Sequence, residues 1–141
     1  MAPSTADPTP VFGVSWWNRP QVRDLAGRPV ATTRDVGRLT ETAQAGGDVM
    51  VWSSREPARL AEAAAAGGVR VIRIEDGFVR SPGLGAHFSP AYSLIFDDVG
   101  VYYDATRPSG LERLLAAHAF DDDLLSRAAR IRERLLAAAI S

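Results

Sequence analysis

The sequence predicts an α/β fold in which a parallel sheet carries helices on both faces. Three observations lead there. Over the first two thirds of the chain, short β-prone runs alternate with helical stretches. The run "DVMVWS", residues 48–53, is apolar enough for a strand buried from both sides. Glycines follow the helical stretches at Gly27, Gly46 and Gly67, where helices commonly end.

The elements follow in order. "MAPSTADPTP", residues 1–10, reads as a disordered lead-in because its prolines resist packing. It has neither the basic nor the apolar region of a signal peptide. Residues 11–141 then read as one α/β unit. "VFGVSW" is a first strand, and "WNRPQVRDLAG" a turn and short helix closed by Gly27. "PVATT" is a weaker second strand. "RDVGRLTETAQAGG" places Val36, Leu39 and Ala43 at helical spacing. After the third strand, "SREPARLAEAAAAGG" is a helix with Ser53 or Ser54 as cap, Pro57 in its first turn and Gly67 as left-handed closure. "VRVIRIE", residues 69–75, is a fourth strand. "SLIFDD" and "VYYD" read as two short strands joined by a turn. "PSGLERLLAAHAF" opens with a capping box, Ser109 to Glu112. A last helix starts near Asp121 and runs to Ser141 with no glycine or proline stop, so the chain is expected to be truncated there.

Bulk properties narrow the function. With 141 residues and 46% hydrophobic content, the chain is the size of one globular domain. A net charge of −1 gives no electrostatic basis for nucleic-acid binding. Its basic residues are all arginine, as a GC-rich coding bias would produce. The chain has no cysteine, which removes disulfides, thiolate metal sites and cysteine nucleophiles. No apolar run approaches the roughly 20 residues that cross a bilayer. A cytoplasmic location is expected, and a peripheral membrane contact through a partner is compatible with it.

The stretch "RIEDGFVRSPGLG", residues 73–85, concentrates the candidate chemistry. Glu75 and Asp76 end a strand, and parallel sheets bind ligands outside the carboxyl ends of their strands. Neighbours on a strand point to opposite faces, so one acid can serve a cleft while the other ties down the next loop. The alternative is that both acids only cap that loop. Arg73 shares a face with Glu75 and is expected to pair with it. The loop to Pro90 is long for an α/β connection. Gly77, Gly83 and Gly85 allow close backbone approach, and Arg80 suits a bidentate grip on a carboxylate or phosphate. His87 is a candidate substrate contact in this loop. His118 reads as a surface or boundary residue. Asp97, Asp98 and Asp104 match no calcium loop, and no metal is expected there. Trp16 and Trp17 read as core residues, with stacking on a sugar as the alternative.

Taken together, "SWWNRP", "VWSS", "RIEDGFVRSPGLG", "SLIFDDVGVYYDATRPSGLERLL" and the arginine-rich last helix resemble, in this order, the bacterial capsular polysaccharide biosynthesis proteins of the KpsC/LipB type. The resemblance runs from Val11 to the end and implies a Kdo glycosyltransferase. Such an enzyme moves Kdo from CMP-Kdo, with retention, to a lipid-linked acceptor and works beside capsule assembly proteins at the inner membrane. It needs no cofactor. The resemblance implies a Rossmann-like unit corresponding to the N-terminal half of a GT-B-like enzyme. The nucleotide pocket and an attacking aspartate belong to the second half. Glu75 then matches the acid/base residue, Asp76 the loop-orienting acid, and Arg80, Ser81, Gly83 and Gly85 the loop lining the cleft. Pro82 stands where the family pattern has a small apolar residue. Alone, the chain is expected to be inactive; a non-catalytic binding or scaffold domain is the alternative.

Overall fold

The structure is a computed structural model that describes residues 7–79 and 91–140. Among these residues, five strands form one sheet in the order β2-β1-β3-β4-β5. They are β1 (Thr9–Phe12), β2 (Val30–Thr33), β3 (Val49–Trp52), β4 (Val71–Asp76) and β5 (Leu94–Asp97). The first four run parallel; β5 pairs antiparallel with β4 at the edge. The helices are α1 (Arg19–Leu25), α2 (Val36–Gln44), α3 (Leu60–Gly67), α4 (Gly110–Ala117) and α5 (Asp122–Ala137). The expected α/β sheet is therefore present, with an antiparallel fifth strand added.

Two apolar clusters cover the two faces of the sheet. On one, Leu39 and Ala43 of α2 and Leu60, Ala63 and Ala64 of α3 pack on Val49, Val51 and Val71. On the other, Val22 of α1 meets Val11, Met50, Ile72 and Ile74. Strand residues divide between the clusters in strict alternation, as the pleat requires. Burying a side chain such as Leu39 or Leu60 contributes about 1.5–3 kcal/mol.

Several boundaries differ from the sequence reading, each for a local reason. β1 starts at Thr9, within the segment read as lead-in, and pairs with β2 along its whole length. It stops at Phe12 because Gly13 turns the chain at φ +80°. α3 begins at Leu60 and not at a serine cap, because residues 53–55 form a 3-10 turn first. Gly68, not Gly67, takes the left-handed closing position at φ +65°. Gly67 instead faces α2. "VYYD" is not a strand: the Asp97 carboxylate accepts the N–H groups of Val99 and Gly100 at 2.8 and 3.1 Å and curls the chain after β5. The same carboxylate accepts the N–H of Gly110 at 2.7 Å, which ties that turn to the start of α4. The capping box forms as expected: Ser109 Oγ accepts from Glu112 N, and Glu112 Oε2 accepts from Ser109 N.

α4 and α5 bury none of their residues. Leu114, Leu125, Ile131 and Leu136 are exposed along them. No helix among the described residues is long and apolar enough to cross a membrane.

Gly67 carries the contact between α2 and α3. A Cβ there would lie 1.8 Å from the carbonyl oxygen of Ala43, a backbone atom that cannot swing aside. We expect Gly67→Ala to push the two helices apart and destabilise the fold by about 2 kcal/mol or more, as overpacking does. Chemical denaturation measures this; an unchanged midpoint would refute it.

Candidate functional site

Because β3 and β4 are parallel and in register from Val49↔Val71 to Trp52↔Ile74, their carboxyl ends lie side by side. Ser53 follows β3, and Glu75 and Asp76 end β4. Ser53 Oγ donates to Glu75 Oε2 at 2.5 Å. Tyr103, from the loop after β5, places its hydroxyl 2.9 Å from the same Oε2 and 2.5 Å from Ser53 Oγ. Two hydroxyl hydrogens thus serve three oxygen contacts. The Asp76 N–H donates to the other oxygen, Oε1, at 3.1 Å. A carboxylate offers about four acceptor positions. These contacts hold Glu75 rigidly and still leave acceptor capacity for an incoming hydroxyl.

The Tyr103 phenol is pushed above its ordinary value, chiefly by burial and further by its hydrogen bond to Glu75, against a lowering from Ser53. It therefore keeps its proton at neutral pH and can act as a donor. Tyr102 is raised as well, by burial and then by the charges of Glu75 and Asp76. Asp76 is half-buried and lies on the opposite face of β4 from Glu75.

Arg73 does not pair with Glu75. Its Nε and Nη2 donate to the two carboxylate oxygens of Glu56, both at 2.8 Å, in a fork geometry. The Arg73 side chain is only 8% exposed, so this charge is matched by an equally committed partner. Next to the pair is a cleft of about 370 Å³ lined by Ser53, Glu56, Arg73, Tyr103, Asp104 and Arg107, among others. Asp104 is itself held: Thr106 Oγ1 donates to it at 2.6 Å and Arg107 Nε at 2.7 Å. Those bonds, with the Thr106 hydroxyl first and Arg107 second, lower its carboxyl from 3.8 to about 2.

The sequence-derived candidates fall into three groups. Glu75 and Asp76 reach the carboxyl edge of the sheet. Arg73 lies in the middle of β4, and its guanidinium is spent on Glu56. Arg80, Ser81, Gly83, Gly85 and His87 lie outside the described residues. Gly77 makes its close approach to Ser93, donating its N–H to the Ser93 carbonyl at 2.9 Å. A Cβ on it would fall 2.2 Å from Ser93 Oγ. Asp97 organises backbone, Asp98 pairs with Arg70 at 2.6 Å, and Asp104 pairs with Arg107, so the three acids serve separate partners. Among the described residues no group of three or more potential ligands is placed to hold a metal ion. Trp16 is 67% exposed and is not a core residue. His118 is exposed at the end of α4 and stacks edge-on against Phe120.

Ser53, Glu56 and Tyr103 were missed by sequence reasoning. The serine had a usable signal: it directly follows a strand whose neighbour ends in Glu75. Glu56 and Tyr103 had none, because each arrives from a loop whose path depends on tertiary contacts.

Two measurements test this geometry. Glu56→Ala leaves the Arg73 charge buried and unmatched, and should cost about 3–5 kcal/mol of stability; a loss below about 1 kcal/mol in denaturation would contradict the pairing. For Asp104, the ionised form is favoured by folding, so its hydrogen bonds are complete above pH 3.8 and are lost as pH falls through about 2. In Arg107→Gln the carboxyl should titrate higher, moving towards 3.8, which carbon-detected NMR reads directly.

Comparison with known proteins bears on the family and the fold. The family described as capsule polysaccharide biosynthesis protein matches residues 47–140, more than half of the chain. The chain is 48% identical over 66 residues to the capsule polysaccharide modification protein LipA of Neisseria meningitidis serogroup A, covering 46% of this chain and 9% of LipA. It is 41% identical over 71 residues to the lipopolysaccharide-processing protein LpsZ of Rhizobium meliloti, covering 49% of this chain and 16% of LpsZ. Among solved structures, it resembles the β-Kdo 2,4 transferase of Thermosulfurimonas dismutans KpsC, with a TM-score of 0.72 and 32% identity over 96% of this chain. The β-Kdo 2,7 transferase of the same KpsC gives 0.67 and 30% over 92%. The chain spans only 41% and 42% of those two structures. On the match over residues 47–140 and these structural likenesses, the chain belongs to the capsule polysaccharide biosynthesis protein family.

Proposed function

We propose that this chain is one half of a Kdo transferase that moves Kdo from CMP-Kdo to a lipid-linked acceptor, with Glu75 as its acid/base residue. The observation that carries the reading is the position of Glu75. It lies at the carboxyl end of β4, is fastened by Ser53 and Tyr103, and keeps acceptor capacity. A general base needs a fixed carboxylate within hydrogen-bond reach of the hydroxyl it serves. In the proposed step Glu75 takes the proton of the acceptor hydroxyl as that oxygen bonds to the Kdo anomeric carbon. The bond from that carbon to an aspartate of the second half breaks, with its electron pair returning to the aspartate. CMP has left in the preceding step. Asp76 orients the loop that follows, and Arg80 grips the Kdo carboxylate or an acceptor phosphate.

The half-enzyme reading is supported by coverage and by α5. The chain matches 41–42% of the solved transferases. The apolar side chains of α4 and α5 are unburied, as expected of helices that pack against a further segment. In the complete enzyme the protein would work at the cytoplasmic face of the inner membrane with capsule assembly proteins.

The test is a transfer assay in the complete enzyme carrying this segment. Glu75→Gln should lower kcat by about 100-fold or more, the usual weight of general base catalysis, with KM for CMP-Kdo unchanged. Full turnover by that variant would remove Glu75 from the chemistry. The isolated chain should show no calorimetric binding of CMP-Kdo; tight binding would overturn the half-enzyme reading.

A further inference from the structure

A second cleft, of about 370 Å³, opens at the carboxyl ends of β1 and β2. Its position follows from topology. From β1 the chain passes outward to β2, then returns to β3 on the other side. The segment after β1 leads to α1 on one face, and the segment after β3 leads to α3 on the other. The two segments diverge and leave a crevice between them, the place where open α/β sheets bind ligands.

Three arginines, Arg19, Arg34 and Arg55, line this crevice, and no acid among the described residues does. Arg55 is built in: its Nη1 donates to the Gly13 carbonyl at 2.8 Å. Gly13, at φ +80°, leaves room for it, since a Cβ there would lie 2.9 Å from the Arg55 Cβ. Arg19 opens α1, and its Nε is buried with no hydrogen-bond partner among the described residues. Arg34 is exposed and makes no ion pair among the described residues. Trp16 forms part of the wall with its ring largely exposed. Three like charges around one cavity repel each other, and a bound anion relieves that repulsion while meeting the unused donors. An exposed indole beside the charges offers a flat apolar face of the kind that sugars pack on.

We propose that this crevice binds the anionic group of a saccharide, a phosphate or a carboxylate, with Arg19 and Arg34 as its ligands and Trp16 against the sugar ring. The assignment rests on these residues alone and is independent of the role of Glu75.

The experiment is an NMR titration of the full 141-residue chain, reading arginine side-chain and tryptophan indole signals. The probes are N-acetylglucosamine 1-phosphate, glucuronic acid, inorganic phosphate and uncharged N-acetylglucosamine. The sugar phosphate or the uronic acid should shift the signals of Arg19, Arg34 and Trp16 together, and which of the two binds identifies the anion. The neutral sugar should shift none. Arg34→Gln should weaken binding at least fivefold, whereas Arg38→Gln, on the exposed side of α2, should leave it unchanged. Trp16→Ala should weaken the sugar ligand and not inorganic phosphate. Arg34 is exposed and unpaired, so its variant should keep the wild-type amide spectrum. Equal affinity for inorganic phosphate and sugar phosphate overturns the saccharide assignment. Absence of binding, or binding indifferent to Arg34→Gln, overturns the site.

Discussion

The guanidinium of Arg73 lies in the middle of β4, almost fully enclosed, on the face that α2 and α3 cover. A charge in that position is costly unless a partner neutralises it and takes up its hydrogen bonds. Glu56 does both, and it comes from the segment between β3 and α3. That requirement shapes everything nearby. The chain cannot run from β3 straight into a helix; it makes a 3-10 turn over residues 53–55 and then an extended step at Glu56 before α3 begins. Ser53 is thereby held at the end of β3, within reach of Glu75. Two residues beyond Arg73 in the same strand, the Glu75 carboxylate is held by Ser53 and Tyr103.

The loop after β5 depends on a second internal carboxylate. Asp97 is buried and takes three backbone N–H groups, two from the turn that follows it and one from the first residue of α4. Gly100 and Gly110 fit around it because neither has a side chain; a Cβ on Gly100 would meet the Pro108 carbonyl at 2.4 Å. The segment from Asp98 to Pro108 is thus anchored at both ends, and Asp104 stiffens its middle through Thr106 and Arg107. What this loop delivers is Tyr103. Its phenol, kept protonated by burial and by the Glu75 charge, completes the oxygen triangle. The antiparallel direction of β5 makes this delivery possible, because the chain leaves β5 level with Arg73 and must travel back to reach the carboxyl edge.

The carboxyl edge of the sheet therefore holds two regions of different character. Around Glu75 and Arg73, charges are paired and hydroxyls are shared, an arrangement suited to moving a proton between fixed oxygens. Around Arg19, Arg34 and Arg55, like charges gather with no acid among the described residues that line the cleft, an arrangement suited to holding an anion. Both lie outside the ends of parallel strands, on opposite sides of β3.

Strand and helix periodicities, helix-ending glycines and the Ser109–Glu112 box are local properties, and the sequence alone determined them. It also determined that two acids end β4, and its motifs, in their order, carry the resemblance to the capsule polysaccharide biosynthesis family. Local spacing cannot say which loop folds back onto which strand. Only the tertiary structure decided that Arg73 pairs with Glu56 and not with Glu75, because a residue two positions away on a strand competes with one brought in by the loop that follows the neighbouring strand. The same holds for Tyr103, read as strand and found in a turn, since the Asp97 carboxylate that captures its loop gives no local signal. It holds also for Gly67 and Gly68, whose order of duties is decided by how closely α2 approaches. Sequence specifies the elements through short-range backbone preferences; the site arises from long-range charge matching, which exists only once the chain has folded.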